Sequence, residues 1–366
     1  MFPVVIGKVE SPIKINLAIS LHSKETWLSS ASNNLCDVSG GCRFLDDQVA
    51  GPKQEFSLQS QPGFNFTVKG QKYNLTLKSE SGNLEIESFG VGVAWEPKDN
   101  LPKLGPADGI LGLGRDSTFL KALAAEGTDI TTVAILYHNT KSNLVIGGYY
   151  PNIVSGNFKK VELLPDSREL KTKTDILFGE KNERAGMDTI LDPLYPDIRL
   201  PPNVFESLLV EKGWETTVID GVNRTMIPAG KVALVALQRP LIFVVGGMTI
   251  SITEENYLDE NRQPMFTRGD KLEVVLGRPF FRSAYVVTDY TGTGRFWVAQ
   301  LKTSIDNLGE PKDISGIGEK NEPTTTRLPI PGSGLAGRRR IGRSRWCCAG
   351  WRWRRAGRWP GTAAPS

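Results

Sequence analysis

The sequence predicts a mainly β chain folded as two lobes, and three observations carry that expectation. The apolar stretches are short, rich in Val, Ile and Leu, and punctuated by turn residues, as in FPVVIG, VALVAL, LIFVVGG and YVVTDYTGTG. Such runs read as strands. At 366 residues with 39% apolar content the chain can bury one large core or two ordinary ones, since domains run about 100 to 200 residues. An internal repeat of long period favours two. In the first half a strand leads to Ser20, and 92 residues later DGILGLG sets Gly112 after two aliphatics. In the second half DTILD leads to Asp192, and 85 residues later VVLGRPF sets Gly277 after Val275 and Leu276.

Taken in chain order, LAISLHSKETWLSS (17–30) alternates as a strand up to Ser20, turns polar, and lands on Trp27. The turn-rich CDVSGGC follows, a loop short enough for one Cys36–Cys42 disulfide, with a pair of free thiols as the alternative. STFLKALAAEG (117–127) is the clearest helix: Ser117 caps it, Phe119, Leu120 and Leu123 form its apolar stripe, and Gly127 ends it. PPNVFESLLVEKG (201–213) reads as a second, with Pro in the first turn and Gly after the last. Lobes over 1–155 and 156–305 are expected, then a polar, Pro-rich linker over 306–331 and an Arg/Trp/Gly-rich tail over 332–366. Four of the eight Trp crowd into the tail, and all its dominant residues can use GC-rich codons. That composition reads as a frameshifted exon, with a disordered cationic tail as the alternative.

Charge and composition exclude several classes. Nine arginines lie between Arg338 and Arg358 with no acid among them, so the formal +4 of the chain becomes −5 for the rest. The body is mildly acidic, and no nucleic-acid partner is expected. The longest apolar stretch, Val232 to Ile250, is cut by Gln238, Arg239 and Pro240, so no membrane-spanning helix is expected. With two His in the chain, no metal site and no cofactor are expected. MFPVVIG reaches Gly7 and Lys8 at once, so no signal peptide is visible. Asn-X-Thr sequons at Asn65, Asn74 and Asn223 fit a secreted glycoprotein, although chance supplies about two in such a length.

Four segments in order carry a resemblance: ADGILGLGRDSTFLKAL, SNLVIGGYYP, LDPLYPDIRLPPNVFESL and VVLGRPFFRSAYVVTDYTGTGRFWVA. From about Phe2 to Gln300 the chain resembles the pepsin family of aspartic peptidases. The resemblance implies a bilobal, mainly β, pepsin-like fold: two pseudo-twofold-related β-barrel lobes with a few short helices. It implies a secreted or cell-surface monomer and a polypeptide ligand lying between the lobes. Each lobe of that family brings one Asp in an Asp-Thr-Gly-Ser/Thr loop, and the two carboxylates share a proton while holding a water. Like charges about 3 Å apart cannot both ionise, so one serves as base and the other as acid.

Residue by residue, this chain departs from that motif. In the second lobe Asp192 is kept, but Pro193, Leu194 and Tyr195 replace Thr, Gly and Ser. In the first, the family commonly has a Trp seven residues after its Asp, and counting back from Trp27 reaches Ser20. Asp-Thr-Gly-Ser has become Ser20-Leu21-His22-Ser23. The flap, where the family places a Tyr, matches FSLQSQPGFNF with Ser60 in that position. Ser60, Gln61 and Gly63 would then line the peptide cleft from one side and Tyr195 from the other.

A lone carboxylate lacks a like-charged partner to raise its pKa, so Asp192 is expected to ionise above roughly pH 4 unless burial raises it. A Ser20 hydroxyl can donate a hydrogen bond but cannot titrate as the second acid. The expected function is that of a catalytically impaired homologue binding extended peptides. The alternatives are an active acid endopeptidase and a non-catalytic secreted or wall-associated structural protein. A Ser20–His22 nucleophile pair would need a base within reach, an orienting acid and an oxyanion hole, and no Gly-X-Ser-X-Gly elbow surrounds Ser20. Asp108 reads as turn chemistry, His138 as a loop residue after a strand, and Trp27 as core.

Overall fold

The β-branched and Leu-rich runs form strands because their branched side chains pack well on a half-buried pleated surface. A computed structural model of the chain describes residues 2–6, 13–29, 54–58, 67–79, 85–98, 107–125, 131–138, 142–164, 170–178, 181–219, 222–228, 240–292 and 294–317. Among the described residues the strands assemble into three sheets.

The first sheet holds β1 (Phe2–Ile6), β2 (Ile13–Ser20), β3 (Trp27–Ser29), β4 (Gln54–Leu58), β5 (Thr67–Ser79), β6 (Glu85–Lys98) and β7 (Gly109–Gly112), ordered β1-β2-β7-β3-β6-β5-β4. The chain then adds β8 (Thr132–Tyr137), β9 (Ser142–Ile146) and β10 (Lys159–Glu162). A nine-stranded sheet follows: β11 (Lys171–Phe178), β12 (Lys181–Leu191), β13 (Ile198–Leu200), β14 (Glu215–Ile219), β15 (Val222–Met226), β16 (Leu241–Val245), β17 (Met248–Ile252), β18 (Phe266–Arg268) and β19 (Val274–Leu276). The last strands, β20 (Ala284–Asp289) and β21 (Arg295–Gln300), join β8, β9 and β10 in a sheet ordered β10-β21-β20-β8-β9. That third sheet draws on the segment between the other two sheets, residues 132–162, and on the strands that follow the second, residues 284–300.

The two outer sheets repeat one arrangement. In the first, β2 runs parallel to β7 with Ser20 opposite Gly112, and β3 runs antiparallel to β7. In the second, β12 runs parallel to β19 with Leu191 opposite Leu276, and β13 runs antiparallel to β19. A short strand is thus slotted between the two arms of a loop in each half. The glycine ending or following that strand must be a glycine. A Cβ on Gly112 would lie 2.5 Å from the Glu25 carbonyl and 2.7 Å from that of Ser23; on Gly277 it would lie 2.2 Å from Asp197 and 2.5 Å from Tyr195. Glu25 and Ser23 follow Ser20 by the same intervals as Asp197 and Tyr195 follow Asp192, so Ser20 and Asp192 hold equivalent places in the two loops.

The helices form where expected. α1 (Thr118–Ala125) buries Phe119, Leu120 and Leu123, and Ser117 Oγ accepts from the Leu120 N–H at 3.2 Å as its cap. α2 (Pro202–Lys212) ends at Gly213, whose φ of 61° and N–H bonds to Leu209 and Val210 carbonyls close the helix. Trp27 is wholly buried. Residues 306–317, the start of the expected linker, meet the body: Lys312 exchanges both backbone hydrogen bonds with Tyr149, and Ile317 is buried. Cys36, Cys42, Asn65, Gly127, Cys347, Cys348 and the tail lie outside the described residues. No helix among the described residues is long and apolar enough to cross a membrane.

Replacing Gly277 by Ala drives a methyl into two backbone carbonyls, and overpacking of that kind costs on the order of 3 kcal/mol. Urea unfolding of Gly277→Ala is expected to show that loss, whereas Val210→Ala, on an exposed position of α2, shifts stability by about 0.5 kcal/mol or less. An unchanged Gly277→Ala midpoint would mean that the loop moves aside freely.

Candidate functional site

The parallel strand pairs β2–β7 and β12–β19 deliver Ser20 and Asp192 to the same place from opposite halves. Ser20 is fully buried and Asp192 is 1% exposed. Ser20 Oγ donates to Asp192 Oδ2 at 2.8 Å. Ser20 Oγ in turn accepts from the backbone N–H groups of His22 at 3.2 Å and Ser23 at 3.0 Å. A hydroxyl offers one proton and two lone pairs, so Ser20 is fully engaged. Asp192 Oδ1 accepts from the Leu21 N–H at 3.0 Å and the Leu194 N–H at 3.1 Å. Two of the three groups donating to the carboxylate therefore come from the opposite half.

A second tie runs the other way. His22 Nε2 lies 3.1 Å from the carbonyl oxygen of Leu191, the residue before Asp192. A carbonyl only accepts, so Nε2 carries the hydrogen. His22 Nδ1 is buried without a hydrogen-bond partner among the described residues. The imidazole thus faces the Leu191 carbonyl and not Ser20 Oγ, and the hydroxyl is sealed from solvent. The arrangement does not present a serine nucleophile.

Burial pushes the Asp192 carboxyl above its ordinary pKa; the nearby His22 and the hydrogen bonds from Leu194, Ser20 and Leu21 oppose that shift without cancelling it. The sequence left burial open, and burial wins. Tyr290 was not singled out by the sequence. Its hydroxyl is buried, and desolvation, with the charge of Asp192 adding to it, raises its pKa.

The remaining residues fall as follows. Pro193, Leu194 and Tyr195 are buried, with Arg199 stacked 5.6 Å above the Tyr195 ring. Ser60, Gln61 and Gly63 lie outside the described residues. Asp108 Oδ2 accepts from the Asn16 N–H of β2 at 2.7 Å, a tie across 92 positions rather than the local turn chemistry expected of it. His138 directly follows β8. Sequence reasoning missed Asp197, Arg199, Arg224 and Arg278, which gather about the loop that follows Asp192. Arg278 was within reach of the repeat, because it adjoins the Gly277 that packs under the Asp192 loop. Arg224 gave no signal, since its place depends on strand pairing.

No protein-family model matches the chain, and no curated protein matches it in sequence. In three dimensions it is similar to the aspartic proteinase from Irpex lacteus, with a TM-score of 0.63 over 84% of this chain and 95% of that one, at 17% identity. The fold is that of the pepsin-like aspartic proteinases, two-lobed and mainly β.

The raised pKa of Asp192 has a signed consequence for stability. On raising the pH the unfolded carboxyl sheds its proton near its ordinary value of about 3.9, while the folded one still holds its own. Stability is therefore lost from that value up to the raised folded pKa and is level beyond it. Asp192→Asn cannot titrate. The stability difference between wild type and variant, from urea unfolding between about pH 3 and pH 8, is expected to move in favour of the wild type on acidification. A flat difference, or one of opposite sign, contradicts the burial.

Proposed function

We propose that the chain is a pepsin-family peptidase homologue impaired in catalysis, whose cleft between the lobes holds an extended peptide without cutting it. The observation that carries this reading is the bond from Ser20 Oγ to Asp192 Oδ2 at 2.8 Å. The two-acid mechanism needs a second carboxyl there, able to exchange a proton with the first and to polarise the substrate carbonyl. An alkyl hydroxyl does not titrate near acidic working pH, and this one already spends its proton on Asp192. The carboxylate, in turn, takes hydrogen bonds from Ser20, Leu21 and Leu194. The fold supplies the peptide-binding part of the reading. Asn74 and Asn223 are exposed, which suits glycosylation of a secreted chain.

Calorimetric titration with statine-type peptides tests the binding. Saturable binding with the peptide recovered intact is expected; no binding by any member of such a set would leave a structural role instead. The loss of activity is also expected to resist a single reversion. Ser20→Asp places a second carboxyl against Asp192, and the pair should titrate in two separated steps. Hydrolysis should still be absent, because Leu21-His22 and Pro193-Leu194 replace the remaining loop residues. Pepstatin-sensitive cleavage by Ser20→Asp would show that the loops tolerate those changes.

A further inference from the structure

A cationic cluster stands about the loop that follows Asp192 on the second lobe, in a body whose overall charge is negative. Arg199 on β13 and Arg224 on β15 both lie opposite Thr267 on β18. Residues in register across neighbouring strands point to one face, so the two arginines flank Thr267 in a single row. Asp197 precedes Arg199 by two residues and shares that face. Its Oδ2 lies 4.0 Å from an Arg224 guanidinium nitrogen, with the Asp197 side chain 12% exposed and that of Arg224 37% exposed. Arg278 joins from the turn after Gly277, its Nε donating to the carbonyl of Pro193 at 3.3 Å.

Three guanidinium groups act on one buried carboxylate, and burial still holds its pKa above the ordinary value. Arg224, Arg278 and Arg199 each act on the charge of Asp197. Asp259, the other acid within electrostatic reach, spends Oδ1 on the backbone N–H groups of Asn261 and Gln263. The Arg224–Asp197 pair is long, and Arg224 Nε is buried without a hydrogen-bond partner among the described residues. Arg278 is tied to the residue that follows Asp192, which on the peptide-binding reading sets that end of the cluster next to the middle of the bound peptide.

We infer that this second-lobe wall selects an acidic side chain in the bound peptide. Guanidinium groups match a carboxylate with two parallel N–H donors, and a partly sheltered row makes such bonds count for more than on an open surface. The inference rests on the peptide-binding reading above.

The test is calorimetry of the full chain with statine-type peptides that differ at one flanking residue at a time, Glu against Gln against Lys. At one position the Glu peptide is expected to bind about tenfold more tightly than the Gln peptide, from one charge-assisted hydrogen bond. The Lys peptide is expected to bind more weakly than either. In Arg224→Gln the Glu-to-Gln ratio should fall toward one, and Arg224→Lys should restore part of it. Should Arg224→Gln fail to fold because Asp197 loses its partner, Arg224→Gln combined with Asp197→Asn removes both charges and keeps the question answerable. Equal affinity for Glu and Gln peptides at every position overturns the inference and leaves peptide binding intact. A Glu preference that survives loss of both Arg224 and Arg199 overturns its assignment to this cluster. Binding by none of the peptides overturns the peptide-binding reading and the selectivity with it.

Discussion

The hydrogen bond between Ser20 and Asp192 spans 172 positions of chain and is made between fully buried groups. Everything around it is arranged to make that burial tolerable. A buried carboxylate without partners would be prohibitive, and three donors converge on this one. Charge-assisted bonds of this kind contribute about 1.5 to 3 kcal/mol each when made and cost comparably when one partner is removed. Because Ser20 and Leu21 belong to one half and Asp192 to the other, the network also fixes how the two loops face each other. The His22–Leu191 bond repeats that tie in the opposite direction. Together these bonds hold the two loops against each other.

The repeated scaffold and the divergent chemistry are separable. Both halves slot a short strand, β7 or β19, between the arms of a loop, and both need a glycine where that strand meets the loop carbonyls. Four residues before each glycine stands an acid, and the two have parted company. Asp108 binds the Asn16 backbone, while Glu273 faces Lys171 at 3.6 Å. Backbone geometry is therefore held by sterics that tolerate little change. The side chains at the loop tips, Ser20 against Asp192 and His22 against Leu194, differ between the halves.

Much of this was legible in the sequence because it depends on local or periodic signals. Strand-length apolar runs pointed to the class, Ser117 and Gly213 marked helix ends, and the long-period repeat singled out Gly112 and Gly277, which pack on equivalent loop carbonyls. What escaped notice depends on long-range pairing. No local pattern says that Arg224 will stand two strands from Arg199, or that the Tyr290 hydroxyl will be buried near Asp192. The pKa of Asp192 escaped for a related reason: its partner's identity could be read from the chain, but its burial arises only once both halves have closed over it. The start of the polar segment after Asp306 shows the same limit. Its composition suggests a linker, yet Lys312 adds backbone bonds to Tyr149.

The central claim is that one buried carboxylate and a hydroxyl do not make an acid peptidase. It is met most directly by incubating the purified chain with denatured protein from about pH 2 to about pH 7 and following peptide products by mass spectrometry. The account predicts no cleavage above background at any pH. Acid-optimal cleavage that disappears in Asp192→Asn would contradict it.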